Sequence, residues 1–343
     1  MTTRRTLLAG IGGLLVLALG TSASAAAPEP PLQAGPYTIA GPYVHENLSL
    51  FLIHGPDTLK GKSYLTLQDA LVKKIVLVHE TGDVNELAIE NISIDQDVYV
   101  QSGDIVKGGR QDRTIAMDFI CPPKSGRMPV AAFCVEQGRW NQRGSESDSL
   151  FASSENAIAG KDLKLAARKD ARQGRVWREV AANQQKLSQN TGVAVASKES
   201  QTSLELSLEN KSVQQAIDGY VKELQPLIDG KEDVIGYAFA INGKMNSADV
   251  YGSHALFNKL WPKLLNSAAV EALAELEKGK TFEAATAPQV AAMLADADKG
   301  QASEKDVTPR VHLVTKETKR NVAFECHDRN APQATVHTNY IAK

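Results

Sequence analysis

The chain has 343 residues and a formal net charge of −2, so no global basic field favours nucleic acid or an anionic membrane surface. Three cysteines exclude a disulfide scaffold; they allow at most one bridge and read most simply as small buried hydrophobes. No spacing of His, Cys, Asp and Glu resembles a clustered metal site, and no metal and no cofactor is expected.

The first 25 residues read as an export signal. Arg4 and Arg5 supply the positive start, Leu7 to Leu19 the apolar stretch, and Ala23-Ser24-Ala25 a small-residue cleavage site. Cleavage is expected after Ala25, and the apolar run is too short and glycine-rich for a membrane span, so no stable span remains afterwards. The twin arginine allows Tat export beside the ordinary Sec route. The expected location is the periplasm or the outside of a bacterial cell.

Residues 26–41 are rich in Ala and Pro and predict a disordered leader. Tyr43 to Ile53 alternates like a first strand. A turn at Gly55-Pro56-Asp57 and a short helix at Thr66 to Leu71 follow, capped by Thr or Ser. Lys74 to His79, Glu86 to Ile92 and Asp97 to Gln101 read as short strands. Together with the segments up to Trp140 they predict an antiparallel β unit, sandwich or jelly-roll-like, over 42–140.

Residues 141–210 predict a loop-rich connection with a helix near 175–187. The basic run from Lys161 to Arg178 is a solvated helix or loop in its simplest reading. Residues 211–343 predict an α+β unit. Val213, Ile217, Tyr220, Val221, Leu224 and Ile228 recur at helical spacing. Asp233 to Tyr251 is a hairpin turning at Asn242-Gly243. Ser253 caps a helical region that Pro262 should kink or divide, and Ala268 to Glu277 is a second helical run. Thr286 and Pro288 start another helix, and Arg310 to Lys316, Arg320 to Cys326 and Ala334 to Ile341 are closing strands. The fold class is therefore α+β: an N-terminal antiparallel β unit followed by a helix–β-hairpin–helix unit.

Polar chemistry concentrates between Gly103 and Trp140. Gly108 and Gly109 can make a sharp turn without a Cβ clash. Gln111 to Cys121 reads as one strand, with Gln111, Arg113, Ile115, Met117 and Phe119 on one face. Pro122-Pro123 ends it, and Val130 to Glu136 returns. A tip near Lys124 and Ser125 puts Arg113 opposite Glu136, where a bidentate pair could form. Two readings follow. In one, Gly108, Gly109, Gln111, Arg113, Arg139 and Trp140 form a pocket for a small anionic ligand, with Glu136 as orienting group or base. In the other, the same charges are an ion-pair network locking two strands, with Trp140 as packing, and the apolar continuation of the face favours this one. Cys134 could be a nucleophile served by His79, although its apolar neighbours read as core.

Three motifs carry a family resemblance: the glycine-rich run ending in Gln111-Asp112-Arg113, the Cys134 to Trp140 stretch, and Gly236 to Lys244 with Asp249 to Ser253 and Leu260 to Leu265. Together they resemble the ARPP-1 family, the ARG and Rhodanese-Phosphatase-superfamily-associated protein domain, over about residues 40 to 278. The resemblance implies an association with ADP-ribosylglycohydrolase-type proteins and hence nucleotide-like chemistry. The function expected is a non-catalytic binding module for a small anionic or nucleotide-like ligand. The alternatives are a hydrolase acting on an ADP-ribose-like substrate with Glu136 as base, or a purely structural envelope protein. The sequence leaves any protein partner open.

Overall fold

The structure, a computed structural model, describes residues 30–343, apart from the side chains of 155–157. The expected export signal and its cleavage site lie outside the described residues. Within the described residues no helix is long and apolar enough to cross a membrane.

The chain starts with β1 (Leu32–Ala34), β2 (Tyr37–His45), β3 (Leu48–His54), β4 (Tyr64–Thr66), α1 (Leu67–Val72) and β5 (Val76–Glu80). Next come β6 (Glu86–Asn91), β7 (Asp97–Val100), β8 (Asp104–Gly108), β9 (Arg113–Ile115), β10 (Phe119–Cys121), β11 (Arg127–Cys134) and β12 (Phe151–Ile158). Helices follow: α2 (Lys161–Leu165), which runs into a π turn at Ala166–Asp170, then α3 (Gln173–Thr191), α4 (Leu204–Leu208) and α5 (Lys211–Leu224). The hairpin of β13 (Val234–Ile241) and β14 (Lys244–Tyr251) leads to α6 (His254–Ala274) and α7 (Ala287–Asp298). The chain closes with β15 (Gln301–Asp306), β16 (Val311–Glu317), β17 (Asn321–Asp328) and β18 (Thr335–Ala342).

The α+β class holds, but the strands are shared differently from the two successive units expected. One nine-stranded antiparallel sheet, ordered β1-β2-β3-β13-β14-β18-β17-β16-β15, takes strands from both ends of the chain. A six-stranded sheet, β12-β8-β9-β11-β6-β5, and a three-stranded one, β10-β7-β4, hold the middle of the N-terminal half. The reason lies in β3 and β13. Both are apolar on both faces, so neither can lie at a sheet surface open to water. Leu48, Leu50 and Leu52 enter the main core, while Phe51 and Ile53 pack on the other side with Val290, Met293 and Leu294 of α7. Residues expected to form a disordered leader instead make β1 and start β2. Leu32, Tyr37 and Ile39 anchor them in the core beneath α7, an alternation hidden by the surrounding Ala and Pro.

Two local signals act as read. Asn242 and Gly243 both take positive φ, 52° and 74°, as a tight hairpin requires. Gly243 is doubly constrained, because a Cβ there would stand 2.5 Å from the Glu283 carbonyl oxygen. Thr66 caps α1 with a reciprocal pair, its hydroxyl taking the Asp69 N–H while the Asp69 carboxylate takes its own. Pro262 does not divide its helix: α6 runs unbroken from His254 to Ala274. Trp261, Leu264 and Leu265 are buried around the proline, and their packing outweighs one lost backbone bond. All three cysteines are free and buried.

The predicted Gln111–Cys121 strand is cut in two. Its first part, β9, pairs with β11, and its second, β10, pairs with β7 in another sheet. The break falls at Asp118, whose buried carboxylate turns inward to the Ser102 N–H at 2.6 Å and to His337 of β18 at 3.2 Å. The other nitrogen of His337 lies 2.9 Å from Asp249 of β14. Ionised carboxylates only accept hydrogen bonds, so with both of them charged it is the imidazolium form, a proton on each ring nitrogen, that satisfies this arrangement. Burial by itself would lower the His337 pKa, but Asp118 and Asp249 more than reverse this and hold it above its ordinary value. Burial likewise opposes the charge of Asp118, yet His337 and then Arg168 bring its pKa well below the usual range. For Asp249, Lys164 and His337 overcome burial in the same way.

Because the folded pKa of His337 exceeds the unfolded value of about 6.5, the contribution of this clamp is complete below that pH and lost as pH rises through the folded pKa. Urea unfolding between pH 6 and pH 9 should show this decline. His337→Ala should flatten it and, by leaving two buried carboxylates without their cation, cost roughly 3–5 kcal/mol at pH 6.

Candidate functional site

The glycine–arginine stretch folds into a closed network. Gly108 and Gly109 take φ of 116° and 53°, and a Cβ on Gly109 would meet the Phe151 ring at 2.2 Å. The turn they make serves packing against Phe151. The Asp112 carboxylate, fully buried, accepts from the Gly108 N–H, from both terminal nitrogens of Arg143, and from the Ser203 hydroxyl at 2.7 Å. Glu136 is equally buried. One oxygen accepts from the Asp112 N–H and the other from Arg139 Nε at 2.7 Å and Arg143 Nη1 at 3.3 Å. Arg139 spends its remaining donors on the carbonyls of Gly108, Gly109 and Asn141. Burial pushes the Glu136 pKa up, but the Arg139 hydrogen bond leads a set of donors that brings it below the ordinary value.

Arg113 does not meet Glu136. The β9–β11 register pairs Arg113 with Cys134, two residues short of the expected partner. Its guanidinium donates to Cys134 Sγ at 2.8 Å and to the Gln111 carbonyl, and stands 3.5 Å from Glu80. Gln111 turns its amide to the Glu136 carbonyl at 2.9 Å. Trp140, 44% exposed, covers the guanidinium groups of Arg110 and Arg113, whose centres lie 5.6 and 5.9 Å from its ring. The sequence thus brings Gly108, Gly109, Gln111, Arg113, Glu136, Arg139 and Trp140 into one neighbourhood, but its positive charge is matched by Glu80, Asp112 and Glu136. Glu136 has both oxygens engaged and no surface exposed. Cys134 is buried as well. Burial, only partly offset by Arg113, pushes its pKa up to about 11, and His79 is engaged with Glu90 at 3.2 Å.

An open concavity lies elsewhere. A cleft of about 440 Å³ runs between α3 and α6, closed by the β13–β14 turn at one end and by the start of α2 at another. Val180, Leu204, Leu208 and Val270 form its apolar wall. Its polar focus is Glu271 on α6. One carboxylate oxygen accepts from the Lys161 N–H at 3.2 Å and from the Asn246 amide at 3.3 Å. Gly160 permits this approach, since a Cβ there would stand 2.8 Å from the Glu271 carboxyl carbon. Burial raises the Glu271 pKa, only partly countered by the Lys161 N–H and by Lys164. Asn246 and Asn183, both lining the cleft, each hold a side-chain carbonyl oxygen without a partner among the described residues.

Sequence reasoning missed Glu271 and Asn246. The available signal was a carboxylate inside the apolar run Ala268 to Ala274, where a surface helix would place it outward. It also missed Glu205 on α4. Both of its oxygens are buried and unpartnered, and burial, aided by Glu209 and Asp112, raises its pKa to about 7. Among the described residues no group of three or more His, Cys, Asp or Glu could hold a metal ion.

The nine-stranded sheet, the ion-paired arginine motif and the helix-lined cleft define an α+β domain with an open cleft apart from a buried polar cluster. The chain belongs to the ARPP-1 family, the ARG and Rhodanese-Phosphatase-superfamily-associated Protein domain, whose family model matches residues 36–340. The match runs past the expected limit near 278 to include β15 to β18, which complete the same sheet as β1 to β3. No match was found among curated proteins or among solved structures.

Arg143→Leu removes the bidentate partner of Asp112 and should cost roughly 3–5 kcal/mol in urea unfolding. Glu205→Gln should act in the opposite direction. The Glu205 charge burdens the fold increasingly above the ordinary carboxyl pKa and fully above about 7. The variant should therefore unfold at higher urea than the wild type at pH 8, with the gain vanishing at pH 4.

Proposed function

We propose that this chain is a binding domain for a small ligand, and that the ligand sits in the cleft between α3 and α6 rather than on the glycine–arginine motif. One observation carries this reading. The cleft joins an apolar wall to polar groups that the protein leaves incompletely satisfied: Glu271, Asn246 and Asn183. Concave, largely apolar sites with a few convergent polar groups are the usual form of small-molecule sites. In the arginine motif most donors already have internal acceptors, and the two that have none among the described residues, Arg113 Nε and Arg143 Nε, are buried inside the network.

Hydrogen exchange tests the assignment against a panel of small molecules that includes ADP-ribose, since the family description links the domain to ARG proteins. A bound ligand at saturating concentration should raise the melting temperature by several degrees. It should also slow exchange at 241–246 and 267–275. Slowed exchange confined to 108–113 and 134–143 would return the site to the arginine motif.

A further inference from the structure

The unsatisfied groups of the cleft share one chemical sense: they accept hydrogen bonds. Asn246 is 5% exposed; its amide nitrogen donates to Glu271, and its buried carbonyl oxygen has no donor among the described residues. The Asn183 carbonyl oxygen is in the same state. Glu271 receives two neutral N–H donors, and no cation lies within ion-pair distance of it among the described residues. Lys161 and Lys164 act on it only from farther away. Among the lining carboxylates Glu275, Glu277 and Glu179 have cationic partners in Lys186, Lys280 and Arg175, and Glu271 has none within ion-pair distance among the described residues.

We propose that the ligand of this cleft is a cation with an apolar body, a primary amine or guanidine on a short alkyl chain, with its charged head on Glu271. This rests on the cleft being the binding site. An ammonium or guanidinium on Glu271 supplies the cation that this carboxylate lacks, and its charge supplies the neutralisation that burial makes valuable. The raised Glu271 pKa agrees with this: the protein itself does not fully compensate that charge. Val180, Leu204, Leu208 and Val270 provide the wall along which the chain would lie. A phosphate or carboxylate head would meet the same oxygens with like charge and no donor to share. The small anionic ligand suggested by the arginine motif thus gives way to one of opposite charge.

Calorimetric titration of the full chain decides it, with hexylamine, cadaverine and agmatine on one side, and hexanol, hexanoate and ADP-ribose on the other. Amines or agmatine should bind saturably while hexanol and hexanoate do not. Glu271→Gln should weaken binding roughly tenfold or more, the worth of a charge-assisted hydrogen bond, and Asn246→Ala by a smaller factor. Ala182→Trp, placed at the cleft wall, should block binding. Melting curves of the three variants confirm that each is folded, and a variant that does not fold is replaced by Glu271→Asp, which should weaken binding less than complete loss of the charge. If hexanoate or ADP-ribose binds in the amines' place and Ala182→Trp blocks it, the cleft stands as the site and the cationic class is wrong. If no probe binds, or binding survives Ala182→Trp, the cleft assignment itself falls.

Discussion

Three sheets meet at the imidazolium of His337. The ring belongs to β18 in the nine-stranded sheet, and one of its carboxylates, Asp249, lies on the neighbouring β14. The other, Asp118, sits where the chain passes from the six-stranded sheet into the three-stranded one. Tyr251 stacks on the ring at 4.5 Å between centroids, and Arg168, itself lying over Phe324, adds a second cation beside Asp118. Removing charges from water is costly, and a buried cation between two carboxylates repays that cost only when every partner is in place. The arrangement therefore acts less as a source of net stability than as a condition on docking. The sheets can come together in one relative placement, the one that satisfies all three charges.

The same logic governs the glycine–arginine motif. Asp112 and Glu136 come from two neighbouring chain segments, Arg139 and Arg143 from the loop after β11, and Ser203 from the start of α4. Loop 135–150 has little apolar surface with which to hold itself, and its arginines pin it to β8 and β9 instead. Gly109 gives Phe151 a seat, and Trp140 covers two guanidinium groups. Dense charge in a sequence is commonly taken as a mark of binding. Here acids and bases are balanced within a few ångströms, so the field that an incoming anion would need is already cancelled by the protein.

The cleft shows the opposite balance. Its polar groups come from α3, α6 and the start of β14. Glu271 is admitted there because Gly160 leaves room for it and two N–H groups meet one of its oxygens. The helix that carries it is otherwise buried almost all round. A helix so apolar gains nothing from an inward carboxylate in packing terms, and this is the physical reason Glu271 stands out along the cleft.

Local order was legible in the residues alone. The Asn242-Gly243 hairpin, the Thr66 and Thr286 helix starts, the spacing of α5 and the three closing strands all follow from short-range rules of turn geometry, capping and periodicity. So did the α+β class and the gathering of Gly108 to Arg139 into one neighbourhood. What the residues could not reveal was which strands share a sheet, since β3 lies beside β13 across nearly two hundred positions of chain. Nor could they show that Arg113 faces Cys134 and not Glu136, because a two-residue change of register keeps the same face and leaves the pattern unaltered. The cleft was invisible for the same reason. Glu271, Asn246 and Asn183 come from three distant segments, and whether their acceptors are met is decided only when α3, α6 and the hairpin have packed. Short-range geometry is written into neighbouring residues; the matching or stranding of buried charge is a property of the assembled whole.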